Sequence, residues 1–130
     1  MKMNVYLAAR FSRKAEMRAV AERLEARGTY QVVSRWIDGH ECADADCTVA
    51  ELARFAAEDR EDIYAADGLI AFTETPDSGY QSGGRHVEFG IALERDLWVA
   101  IIGPPENIFH YLDRQVERFD SLDQFLAMYP

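Results

Sequence analysis

Three uninterrupted apolar runs constrain the chain most: Val5-Tyr6-Leu7-Ala8-Ala9, Gly68-Leu69-Ile70-Ala71-Phe72 and Leu97-Trp98-Val99-Ala100-Ile101-Ile102. A strand with one wet face alternates apolar and polar residues, whereas a run that is apolar at every position fits a strand covered on both faces. Such strands belong to parallel sheets, whose crossover connections lay helices over both faces. The segments between the runs have the required character. Ser12 offers an N-cap to a charged amphipathic helix from about Arg13 to Arg27, which Gly28 ends. Gln31-Val32-Val33-Ser34 reads as a short second strand, followed by an acidic, turn-rich loop from Asp38 to Asp46. Thr48 and Glu51 form a capping-box pattern opening a helix to about Ala66. A loop from Thr73 to Gly84, with Pro76, Gly79, Gly83 and Gly84, leads into a helix ending near Asp96. Val116 to Phe119 reads as a short edge strand, and Ser121 with Gln124 repeats the capping-box pattern before a last helix through about Met128.

Strands alternating with helices predict an α/β three-layer sandwich, a single domain over residues 1–130. Its five-stranded, mainly parallel sheet is expected in the order 2-1-3-4-5, flavodoxin-like or Rossmann-like. Ligands of such sheets sit beyond the carboxyl ends of the strands, where the order reverses. Here that place lies between the first and third strands and brings Ala9 to Ser12 opposite Thr73 to Gly84.

Charge narrows the partners. The chain carries 14 basic and 23 acidic residues, a net charge of −9. Residues 1–35 hold eight basic and three acidic side chains, while residues 38–62 hold two basic and nine acidic ones. A nucleic-acid polymer finds no long basic stripe here, although a small anion near the basic N-terminal segment is compatible with it. No apolar stretch approaches the ~20 residues of a membrane span, and Val5 to Ala9 is too short for a signal peptide core. Two cysteines, Cys42 and Cys47, do not make the framework of a small secreted protein, which sets a reducing cytoplasm as the expectation.

Glu88 is the one acidic residue within Val87-Glu88-Phe89-Gly90-Ile91-Ala92-Leu93, one turn inside a predicted helix. The helix dipole favours an anion at that end, and a preorganised carboxylate there suits attack on a sugar carbon of oxocarbenium character. The alternative role is a glutamate that complements the dipole or pairs with Arg85 or Arg95.

The runs Val5-Tyr6-Leu7-Ala8-Ala9-Arg10-Phe11, Ala65-Ala66-Asp67-Gly68-Leu69-Ile70-Ala71-Phe72 and Gly84-Arg85-His86-Val87-Glu88-Phe89-Gly90 together resemble the nucleoside 2-deoxyribosyltransferase family, whose relatives include nucleotide N-hydrolases. The resemblance spans most of the chain. It implies that Glu88 of Glu88-Phe89-Gly90 is the covalent nucleophile, that Tyr6 contacts it, and that an acid after the third strand serves the base. Glu74 is the nearest match to that acid, where the family usually has Asp, and Asp77 is the substitute. The implied reaction is a retaining double displacement that passes the sugar to another base or to water, with no cofactor. Family members self-associate, so a homodimer or larger homo-oligomer is expected.

For a small-molecule nucleoside or nucleotide, the expected binding residues are Ala9, Arg10, Phe11, Ser12, Trp36, Asp77, Ser82, Gly83, Gly84 and Arg85. The glycines, serines and arginines among them suit a phosphate at a helix start, or else merely serve turn geometry and surface charge. Trp36 and Phe11 either stack on a base or pack on the core. His86 reads as structural before functional, and His40, Cys42 and Cys47 fit no standard zinc spacing. Two rival functions use the same architecture. One is a non-catalytic nucleotide-binding module, with Glu88 accepting from ribose hydroxyls. The other is a response-regulator-like domain, disfavoured because Ala8-Ala9-Arg10 and Thr73-Glu74 stand where its acids belong.

Overall fold

The computed structural model describes residues 1–40, 42–79 and 83–130. Its elements are β1 (Met3–Ala8), α1 (Lys14–Glu25), β2 (Tyr30–Val32), α2 (Trp36–Gly39), α3 (Val49–Tyr64), β3 (Gly68–Phe72), α4 (Gly84–Glu94), β4 (Trp98–Ile102), β5 (Val116–Phe119) and α5 (Leu122–Met128). The five strands form one sheet in the order β2-β1-β3-β4-β5. Every pairing is parallel, so the expected sheet is present with no antiparallel member.

The apolar runs do what their pattern requires. All five residues of β3 are buried, and Val5 to Ala8 of β1 have no exposed surface. Helices cover both faces: α3 and α4 pack on each other and α4 lies against β3 and β4, while α5 places Phe125 against Tyr30, Trp98 and Phe119. Among the described residues, no helix is long and apolar enough to cross a membrane.

Local chemistry sets several boundaries. The capping box at Thr48 is complete, with Glu51 N donating to Thr48 Oγ1 and Thr48 N donating to Glu51 Oε1. At α5 only half of the pattern forms, because Gln124 reaches back to the Asp120 N–H and not to that of Ser121. Ser12 does not cap α1. Residues Phe11–Arg13 instead make a 3₁₀ turn, and Arg13 occupies the N-cap position without a side-chain cap bond. The loop read as irregular from Asp38 to Asp46 instead begins with the last two residues of α2 and contains a second 3₁₀ turn at Asp44–Asp46. Cys42 and Cys47 are joined in a disulfide, a pairing the cysteine count did not anticipate.

One feature of the sheet shapes the crevice. β2 pairs with β1 only from Met3 to Val5, and Val33 N then donates to the Val5 carbonyl. Beyond that rung side chains take over: Leu7 N donates to Ser34 Oγ at 3.1 Å, and Trp36 Nε1 donates to the Leu7 carbonyl at 2.7 Å. These bonds satisfy a buried backbone that has lost its neighbouring strand, and they seat Trp36 beside the carboxyl end of β1.

Candidate active site

At the point where β1 and β3 diverge, a cleft of about 170 Å³ is lined on one side by Ala9, Arg10 and Phe11 and on another by Trp36 and His40. Asp59 of α3 and Gly83, Gly84, Arg85 and Glu88 of the α4 start complete it. Pockets that enclose a whole drug-sized ligand run to about 300–1,000 Å³. The enclosed part here therefore takes in a group of sugar size, and a larger ligand extends past its rim.

Gly83 has φ +86°, a left-handed conformation that side-chain-bearing residues rarely adopt, and this turn starts α4 at the cleft. One turn later Glu88 points toward β1, where the hydroxyl of fully buried Tyr6 donates to Glu88 Oε2. The carboxyl of Asp59 contacts Glu88 from α3. Burial, above all, raises the Glu88 carboxyl to about 8; the Tyr6 hydrogen bond opposes that shift and the Asp59 charge adds to it. Desolvation likewise lifts Asp59 to about 7, with the bond to Glu88 acting against it and Asp62 and Glu58 acting with it. The dipole at the α4 start is thus outweighed by desolvation and by a like charge. Two adjoining carboxyls of this kind share a proton. Tyr6 itself is pushed up by burial and by the Glu88 charge, so it remains a phenol that donates.

A second neighbourhood holds arginines. Arg13 Nη1 donates to Glu74 Oε2 at 2.8 Å and to the Thr73 carbonyl at 3.1 Å, and Arg10 lies 3.6 Å from Glu74 Oε1. Arg10 also donates to the Ser78 carbonyl at 2.7 Å, tying the β1 end to the loop after β3. Arg85 is buried and grips Glu106 with both of its terminal nitrogens.

The structure therefore brings Glu88, Tyr6, Ala9, Arg10, Phe11, Trp36, Gly83, Gly84 and Arg85 together at one crevice. Trp36 is 4% exposed and Phe11 37%, their ring centroids 6.4 Å apart, so Trp36 forms floor and Phe11 rim. Ser12 and Glu74 are not among the lining residues. Asp77 is exposed and accepts a hydrogen bond from Thr75 Oγ1. Ser82 falls outside the described residues.

Asp59 was missed in the sequence, yet a signal existed. It lies four residues after Phe55 and four before Ile63, both buried, which sets an acid on the apolar face of α3. His40 had been weighed only as a zinc ligand. Among the described residues no group of three His, Cys, Asp or Glu side chains converges as a metal site.

No protein-family model matches this sequence, and no curated protein matches it. The fold is nonetheless shared with a solved glycosidase. That structure is Clostridium botulinum CMP N-glycosidase, BcmB, which superposes with a TM-score of 0.61 over 97% of each chain at 21% sequence identity. At that identity the likeness to BcmB speaks for the architecture alone.

Proposed function

We propose that this protein cleaves the N-glycosidic bond of a nucleoside 5′-monophosphate or nucleoside, with Glu88 as nucleophile. The observation that carries the reading is the Tyr6–Glu88–Asp59 cluster at the head of a sugar-sized cleft. The CMP N-glycosidase that shares the fold supports it.

In the first step a Glu88 carboxylate oxygen attacks the anomeric carbon as the carbon–nitrogen bond breaks, and the base departs with that electron pair and takes up a proton from solvent. For Glu88 to attack, the proton it shares must reside on Asp59, and Tyr6 favours that placement by donating to Glu88. In the second step water adds to the anomeric carbon of the glycosyl ester, returning a proton to solvent, and Glu88 leaves as a carboxylate; an acceptor base in place of water would make the enzyme a transferase. The cleft opens to solvent, which supports water as the acceptor. Glu74, held by Arg13 and close to Arg10, does not line the cleft, and no step is assigned to it. Arg10, which also donates to the Ser78 carbonyl, and the backbone at Gly83 and Gly84 are the proposed contacts for a 5′-phosphate.

Incubation with a panel of nucleosides and monophosphates, followed by chromatography, should show free base, and Glu88→Gln should lower its release by several orders of magnitude. Binding across the panel without release would replace this reading with that of a nucleotide-binding module.

A further inference from the structure

The buried chain of polar groups does not stop at Asp59. His40 Nε2 lies 3.3 Å from Asp59 Oδ1, and neither of these buried atoms has a hydrogen-bond partner of good geometry. A buried donor and a buried acceptor left unsatisfied are costly, and here each is the other's nearest remedy. The ring is held for that purpose. It stacks on Phe55 with centroids 4.0 Å apart, and the His40 carbonyl accepts from Lys14 Nζ at 2.5 Å. The Cys42–Cys47 bridge closes the loop immediately beyond it.

We propose that His40 is a positioning residue for the glycosidic reaction: neutral, it donates its Nε2–H to Asp59 Oδ1 and leaves the other Asp59 oxygen to carry the proton shared with Glu88. In this arrangement Glu88 accepts from Tyr6 and from Asp59, and every group in the chain is satisfied. The proposal rests on Glu88 being the nucleophile, since it assigns His40 the task of fixing the carboxyl that holds the proton Glu88 must lack. Burial lowers the imidazole below its ordinary value, in keeping with a neutral donor. Glu58 and Asp62 act against that shift, while Lys14 from α1 and Arg54 add to it. The bond to Glu88 and the charge of Arg35 both act to lower Asp59.

The test compares wild type with His40→Phe, which keeps a ring on Phe55, and His40→Gln, which keeps an N–H donor. Carbon NMR of the Asp59 carboxyl in the ligand-free full chain reads the contact without any activity. Loss of a donor to a carboxylate favours its protonated form, so the Asp59 midpoint should rise by about half to one pH unit in His40→Phe and return toward wild type in His40→Gln. In base release, kcat should fall about 3- to 10-fold in His40→Phe with KM nearly unchanged, because the Asp59 carboxyl, although it holds its proton more tightly, is no longer pinned with that proton toward Glu88, and should recover in His40→Gln. An Asp59 titration identical in wild type and His40→Phe overturns the proposal, as does a glutamine variant that behaves like phenylalanine. A shifted Asp59 titration in a protein that releases no base supports the contact and overturns only the glycosidase reading.

Discussion

Two sets of buried carboxyls in this domain have opposite surroundings. Glu106 and Glu74 each sit against a guanidinium, Arg85 for the first and Arg13 for the second. Glu88 and Asp59 sit against each other, a phenol and a neutral imidazole, and among the described residues neither forms a direct ion pair with Lys or Arg. Between Glu106 and Glu88 the consequence for titration is a change of sign. Burial pushes Glu106 up, but the hydrogen bonds and charge of Arg85 outweigh it and hold the carboxyl below its usual range. Burial pushes Glu88 up and no cation answers it. Glu106 fastens the loop after β4 to α4 and Glu74 ties the end of β3 to the start of α1, whereas Glu88 and Asp59 meet at the cleft.

Breaking the guanidinium pair should produce the largest effect. Arg85→Ala leaves the Glu106 carboxyl half-buried without its partner and is expected to destabilise the fold by about 3 kcal/mol, read by urea denaturation at neutral pH. A second measurement probes the hydrogen bond of the other set. Tyr6→Phe removes a neutral donor to a charged acceptor, worth about 1.5–3 kcal/mol, so base release should drop about 10- to 100-fold while the fold is retained.

The smallest effect is also the most diagnostic, because it compares the two sets by sign. A carboxyl raised in the folded state binds its proton more tightly there than in the unfolded chain, so stability declines as pH climbs from the ordinary carboxylate value of 4.5 to about 8 for Glu88. Glu106, held low, behaves in the opposite sense: its contribution is present above the ordinary value and is lost as pH falls through its folded value. Melting temperatures measured from pH 3 to 9 should therefore decline on the alkaline side in wild type. Glu88→Gln should make that decline shallower and leave the acid side as it was, with Asp59, also raised by burial, carrying the remainder; a decline as steep as in wild type would mean that Glu88 titrates normally.

What the sequence disclosed follows from which forces are local. The three apolar runs announce a covered parallel sheet because burial on both faces acts on each residue in turn. Glu88 was legible for the same reason, as one charge in an apolar stretch. Asp59 was obscured by its neighbours, since Glu58-Asp59-Arg60-Glu61-Asp62 reads as a solvated run, although Asp59 lies one turn from buried Phe55 and Ile63 and Asp62 is itself buried. The four-residue α2 is too short to show a period at all. Ser12 failed as a cap because Arg13 N bonds to the Arg10 carbonyl and closes a tighter turn first. Pairings such as Arg85 with Glu106, 21 residues apart, and His40 with Asp59 depend on tertiary placement, about which spacing along the chain is silent.

The early departure of β2 from β1 has a bearing on how such a protein changes over time. Because Ser34 and Trp36 replace the missing rungs, the base of the crevice is furnished by interchangeable residues and not by the ladder itself. Selection can recut that bed for a different guest, one substitution at a time, while the neighbouring strands keep their alignment and the Glu88 carboxyl stays where it is.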